Sequence, residues 1–246
     1  MTKISRAIGL IIAFNLAACG SKTDTPEPTL ETACPQVKTT ATKIVKSNYP
    51  PSQESDPVIK ITGDLTHDDE GLLDATTSLI SLAESKERPD IRIYVASGGG
   101  ETNQGFALRD VVKYYGEDKF VIVCTTQAAS AASFIFATKA KRFALPSCEI
   151  VTHAVSGSIV DEDKIPKEKL KRIKATLEIT QDLGTKQMRE LYKNSFNLTD
   201  TCANYLTRKD DTYLSAYDAL KLGFFDAVLE PNGKMTIKAP QPAAPK

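Results

Sequence analysis

The sequence predicts an α/β fold with a mostly parallel sheet covered by helices. Three observations predict it. Short β-rich runs alternate with runs of apolar residues at helical spacing between residues 58 and 229. Repeated strand–helix–strand order of this kind builds parallel sheet. The remaining stretches are polar and Pro-rich: "GSKTDTPEPTLETA" over residues 20–33 and "KAPQPAAPK" at the end read as a flexible tether and a tail. That leaves residues 34–237 as one domain by size.

Each element has its own warrant. "VIKIT" (58–62) is a β-rich run. In "GLLDATTSLISLAESK", Leu72, Leu73, Thr76, Leu79, Ile80 and Ala83 recur at helical spacing. "IRIYVA" (91–96) is a second strand, running into "SGGG". "NQGFALRDVVKYYG" is a helix with Phe106, Leu108, Val111, Val112 and Tyr115 apolar and Gly116 as its stop. "KFVIVC" (119–124) is a third strand, and residues 129–140 read as a buried helix. "CEIVT" (148–152) is a further strand, and residues 164–195 read as one or two charged helices. "SAYDALKLG" is a short helix, and "FFDAVL" a closing strand.

Composition bounds the function. Hydrophobic residues make up 41% and charged residues 25%, an ordinary globular balance. Lys and Arg number 31 against 31 Asp and Glu, so nothing in the charge argues for nucleic acid. The N-terminus is more specific. Lys3 and Arg6 precede "AIGLIIAFNLAAC", an apolar run too short for a comfortable membrane span. It ends in "LAACG" (16–20), which resembles the lipobox of bacterial lipoproteins. The resemblance implies removal of residues 1–18 as a signal peptide and lipid on Cys19. It also implies a membrane anchor in the cell envelope, on the periplasmic face. Gly20 stands where an aspartate would signal inner-membrane retention, which in a cell with two membranes favours the outer one.

Four cysteines remain: Cys34, Cys124, Cys148 and Cys202. An exported compartment permits disulfides, and four thiols allow three pairings. Cys34 and Cys202 sit in polar, turn-rich contexts and are the favoured pair. Cys124 and Cys148 sit in apolar runs and read as small buried hydrophobes. The spacing matches no zinc motif, and neither metal nor organic cofactor is expected.

Sites in parallel α/β sheets form at the carboxyl ends of strands. Three segments sit there: "SGGG", "TTQAASAASF" with Ser130 at its centre, and His153. A serine nucleophile needs a base, commonly His oriented by a carboxylate, and backbone N–H groups aimed at the oxyanion. The alanines flanking Ser130 leave room for a carbonyl, and glycine lets backbone approach a ligand. Taken alone, Ser130 would more simply be a helix cap and His153 a hydrogen-bonded core residue. His67, in "THDDEG", reads as a loop residue, and a Ser–Lys dyad through Lys139 or Lys141 fits less well than His153.

Four ordered pieces, "SGGGETNQGFALRD", "TTQAASAASF", "KAKRFALPSCEIVTH" and "DTYLSAYDALKLGFFD", resemble the Clp protease proteolytic subunit. The wider group is the ClpP/crotonase superfamily, and the resemblance spans residues 58–229. It implies a ClpP/crotonase-like fold of repeated β-β-α and βαβ units. It implies Ser130 as nucleophile, His153 as base and Asp211 as its orienting acid, with Asp210 the alternative. Gly99 and Ala131 map to the oxyanion amides, with Gly100 adjacent. It implies peptide or protein substrates and a homo-oligomer, with "DEDKIPKEKLKRIK" in the segment that forms an assembly handle. Gly98 replaces the family's proline, Thr126 a glycine, and Ala131–Ala132 a methionine–glycine pair. After His153, Ala154–Val155 replace glutamine–proline. These departures imply a reshaped groove. An exported chain would also work without the cytosolic ATPase partner. The alternative reading is a non-catalytic scaffold that kept the fold.

Overall fold

A computed structural model describes residues 27–47, 49, 57–66, 70–84 and 91–240. Cys19, the signal peptide and His67 lie outside the described residues. The elements in chain order are helices α1 (Leu30–Ala33) and α2 (Gln36–Thr39), strands β1 (Thr42–Lys46) and β2 (Val58–Leu65), and helix α3 (Glu70–Glu84). Then come β3 (Ile91–Gly100), α4 (Thr102–Tyr115), β4 (Phe120–Ala129), β5 (Lys141–Ala144) and β6 (Glu149–Thr152). The 30-residue helix α5 (Lys167–Phe196) follows, then α6 (Asp200–Leu206), β7 (Thr212–Ser215), α7 (Ala216–Leu222), β8 (Ala227–Glu230) and β9 (Lys234–Lys238).

All nine strands join one sheet in the order β1-β9-β8-β5-β4-β3-β2, with β6 and β7 branching from β4. Strands β2, β3, β4, β5 and β8 run parallel, while β1/β9, β8/β9 and β6/β7 are antiparallel. Strand β4 holds the centre. Its first five residues, Phe120–Cys124, are all buried, as expected of a parallel strand covered on both faces. The period of two divides them. Phe120, Ile122 and Cys124 join the main core with α4, the Ser130–Phe136 turn and the end of α5, whereas Val121 and Val123 pack with Phe143, Ala227 and Met235.

Past Cys124 the strand changes partners. It pairs with β5 as far as Cys124–Ala144, then with β6 from Gln127–Glu149 to Ala129–Val151. This fork creates the branch that carries the site.

Several expectations are corrected. The "SGGG" segment is no loop: β3 continues through Gly100, because Asp64 and Leu65 of β2 offer it pairing partners. Residues 129–140 do not form an α-helix. A 3-10 segment covers Ser130–Phe136 and then ends, with the Ala137 amide on the Phe134 carbonyl at 2.9 Å. "FFDAVL" does not close the fold, because β8 turns through Pro231–Gly233 into β9, which pairs with β1. The chain assigned to the tether already folds at Leu30, and Ala33 is buried.

Cys34 and Cys202 are joined as a disulfide that ties α1 to α6 across 168 residues. Cys124 and Cys148 are not lone buried hydrophobes but a second disulfide, bridging 24 residues at the fork where β4 passes from β5 to β6. The apolar surroundings that suggested free thiols are those of a bridge buried in the sheet.

Candidate active site

Strand register brings the sequence-selected residues together. Ala129 of β4 lies opposite Val151 of β6 in a parallel ladder, so Ser130 and Thr152 leave the sheet side by side. Strand β7 runs back along β6 with Thr212 opposite Thr152. That pair is the last of the ladder, and His153 follows it on one strand while Asp211 precedes it on the other. Ser130, His153 and Asp211 thus adjoin the ends of three neighbouring strands.

Ser130 sits at φ 50°, in the left-handed region that non-glycine residues avoid. Holding it there costs on the order of 1 kcal/mol, a cost that persists only where the surroundings impose it. They do so through close backbone contacts. A Cβ on Gly99 would lie 2.7 Å from the Ser130 Cβ and 2.5 Å from the Ala129 carbonyl oxygen, so only glycine lets β3 pass the turn. On the other side, a Cβ on Gly105 of α4 would run into the Ala131 carbonyl. Gly105 was not singled out from the sequence. A glycine inside a helical run was its only signal.

The oxyanion assignment changes in one respect. The Gly99 amide donates to Ser97 Oγ at 3.1 Å, and Ser97 Oγ in turn donates to the Gly63 carbonyl at 2.6 Å. A committed amide is a poor oxyanion donor, so Gly99 serves the turn sterically. Gly100 is paired with Leu65 in the β2/β3 ladder, and Ala131 lies in the first turn of a helical segment, where amides lack intrahelical partners.

The base half is arranged differently. His153 is half-buried, and its Nδ1 lies 2.6 Å from the Ala154 carbonyl oxygen. A carbonyl only accepts, so in this bond Nδ1 carries the proton, and the neutral ring with that tautomer presents the Nε2 lone pair a general base requires. Asp211 does not supply that bond. Its Oδ2 accepts from the Tyr213 hydroxyl at 3.3 Å, and its charge raises the Tyr213 phenol above the ordinary value. Asp210 is exposed and Asp211 half-buried, which favours Asp211 as the partner of His153. Between them, the fully buried Thr152 hydroxyl has no hydrogen-bond partner among the described residues.

The segment after His153 is strapped to α5. The Val155 amide donates to Thr185 Oγ1 at 2.9 Å, and Gln181 Nε2 donates to the Gly157 carbonyl at 2.9 Å. Lys139 and Lys141 are exposed, and the Lys139 amide is held by Glu117. Among the described residues, no group of three or more His, Cys, Asp or Glu side chains is placed to hold a metal ion.

Ser130 thus sits at a strand end at positive φ, packed against a glycine-bearing strand, with His153 at the end of the next strand. The sequence profile of one family, Clp protease, matches residues 56–232. The chain belongs to the Clp protease family. It is 30% identical over 162 residues to the ATP-dependent Clp protease proteolytic subunit of Porphyromonas gingivalis, covering 63% of this chain and 67% of that relative. The Clp protease match spans β2 to β8 and includes every strand end that builds the site. Strands β1 and β9 and helices α1 and α2 lie wholly or almost wholly outside it.

Proposed function

We propose that this Clp-family chain is an exported, lipid-anchored serine endopeptidase that hydrolyses peptides or unfolded proteins without an ATPase partner. Ser130 Oγ attacks the peptide carbonyl. His153 Nε2 takes the proton and returns it to the leaving amine, and Asp211 stabilises the imidazolium. The amides of Gly100 and Ala131 receive the oxyanion. The observation that carries this reading is Ser130 at φ 50° with His153 and Asp211 on the two neighbouring strand ends.

The anchor at Cys19 rests on residues 1–20, and export is supported by the two disulfides, which persist in oxidising compartments. An envelope enzyme has no ATP at hand, so substrates must arrive already extended. Homo-oligomer formation through the charged part of α5 belongs to the same reading.

A fluorophosphonate probe on the purified soluble domain, followed by peptide mapping, tests the chemistry. An adduct on Ser130 that His153→Ala abolishes is expected, together with casein hydrolysis in the absence of nucleotide. A folded protein with no adduct would sink the peptidase. It would favour a non-catalytic scaffold, the reading to which the Asp211–Tyr213 contact lends weight. Radiolabelled palmitate in the full-length chain, lost in Cys19→Ala, tests the anchor.

A further inference from the structure

The Ser130 carbonyl is held by a buried pair of hydroxyls. Ser133 Oγ donates to the Ser130 carbonyl oxygen at 2.6 Å, and the same Oγ lies 2.6 Å from the Tyr192 hydroxyl. Ser133 and Tyr192 are both fully buried. A serine hydroxyl has one proton. The Ser130 carbonyl can only accept, so that proton is spent there, and Tyr192 must donate to Ser133. The direction of the chain is therefore fixed: Tyr192 O–H to Ser133 Oγ, and Ser133 O–H to the Ser130 carbonyl.

The consequence follows from peptide geometry. The Ser130 C=O and the Ala131 N–H belong to one peptide group, which is planar and trans. The two dipoles are antiparallel in that plane. Drawing the carbonyl into the core toward Ser133 turns the Ala131 amide the opposite way, away from Ser133.

We propose that Tyr192 is a positioning residue: through Ser133 it sets the plane of the Ser130–Ala131 peptide, and so aims the Ala131 amide at the oxyanion. The inference rests on the reading of Ser130 as nucleophile. Tyr192 is well fixed for the task. Its ring packs against Phe196 at 5.9 Å and Phe224 at 5.5 Å between centroids. Burial pushes its phenol far above the ordinary value, so the donor keeps its proton at any working pH. The residue comes from α5, the helix whose Thr185 and Gln181 also hold the segment after His153. One helix thus braces both halves of the site.

The test is the rate of fluorophosphonate labelling at Ser130 in the unaltered chain, Tyr192→Phe, Ser133→Ala and the double variant. Phosphonylation builds negative charge on an oxygen at the oxyanion position, so the limiting rate reports the amide's aim. Tyr192→Phe is expected to lower the limiting rate constant about tenfold with the half-saturating concentration unchanged. Ser133→Ala is expected to do the same, and the double variant no worse than the worse single one. A purely structural role would lower the melting temperature and leave the limiting rate alone. Labelling of the unaltered chain with an unchanged rate in folded Tyr192→Phe overturns the relay and leaves Ser130 as nucleophile. So do effects that multiply in the double variant. Absence of any adduct on the unaltered chain overturns both. If Tyr192→Phe does not fold, Ser133→Ala decides alone, by the same drop or its absence.

Discussion

The two halves of the active site are built to different standards. The nucleophile side is over-determined. Gly99 and Gly105 press the Ser130 turn from two directions, Ser133 and Tyr192 hold its carbonyl, and the serine is kept at φ 50°. On the base side the backbone after His153 is strapped to α5, but the side chains bond elsewhere than to one another. His153 is hydrogen-bonded to its own neighbour's carbonyl, Asp211 is engaged by an exposed tyrosine, and Thr152 has a buried hydroxyl unused. Interiors at crystal-like density do not deform continuously, so the packed half cannot adjust. On the proposed mechanism, alignment on substrate binding therefore falls to His153 and Asp211.

Breaking the rigid half should have the largest effect. Ser130→Gly removes the nucleophile and also relieves the left-handed strain. Hydrolysis should fall at least about a thousandfold, while stability rises by about 1 kcal/mol in a thermal melt. A loss of both would show that the turn is not strained. Gly105→Ala comes next. Its new methyl would have to displace the Ala131 carbonyl, and a loss of about 3 kcal/mol is expected together with Ser130 labelling. Gly233→Ala is the control, since nothing lies within 4 Å of its added Cβ. With only its own positive φ to resist the change, it should cost about 1 kcal/mol and leave labelling intact. Equal effects at the two glycines would erase the distinction between packed and open regions.

The Cys124–Cys148 bridge fastens the strand of the nucleophile to the strand of the base. Replacing both by alanine should lower stability by about 3 kcal/mol in denaturant unfolding. Labelling should fall more than with loss of the Cys34–Cys202 bridge, which touches neither strand. Alkaline pH sharpens the comparison further. Burial raises Tyr49 to about 12, and burial raises Tyr192 as well. Above about pH 10 the unfolded chain loses protons that these folded tyrosines retain. Their contribution is therefore constant below that pH and falls above it, by about 1.4 kcal/mol per pH unit for each such tyrosine until its folded form also loses its proton. Tyr192→Phe should make that decline shallower. The smallest effect belongs to the base half. Tyr213→Phe frees Asp211 and should raise the labelling rate about two- to fivefold without moving the melting temperature. A fall would mean that Tyr213 helps to hold Asp211 in place.

What was legible in the sequence follows the same division. Strands β2, β3 and β4 and helices α3 and α4 announce themselves by periodicity, because each covers or fills one continuous core. Ser130 and His153 were legible through four ordered motifs rather than through either residue alone. The missed strands are short or split by chain distance. β5 and β7 have four residues each, and β1 pairs with β9 from the far end of the chain. Glycines 98–100 read as a loop because glycine weakens a strand, and only the partner strand β2 overrides that preference. Met188, Tyr192 and Phe196 recur every fourth residue near the end of α5, so their burial was readable. That Tyr192 meets a serine hydroxyl was not, because a polar contact between distant segments leaves no period in either. The partner of the Gly99 amide was unreadable for a related reason: the side chain that occupies it, Ser97, acts through a local turn rather than a motif.

The two disulfides also bear on how the molecule is made. A chain delivered N-terminus first presents Cys34 long before its partner. The next of the four bridged cysteines to appear is Cys124, which belongs to the other, 24-residue bridge nested inside the 168-residue one. Order of arrival thus opposes final pairing. Thiols oxidised as they emerge would be trapped as Cys34–Cys124, a link that thiol exchange must then undo. Native closure of the longer bridge requires α6 to lie against α1. In this molecule folding instructs oxidation, and the yield of native protein should depend on a disulfide isomerase more than on an oxidant.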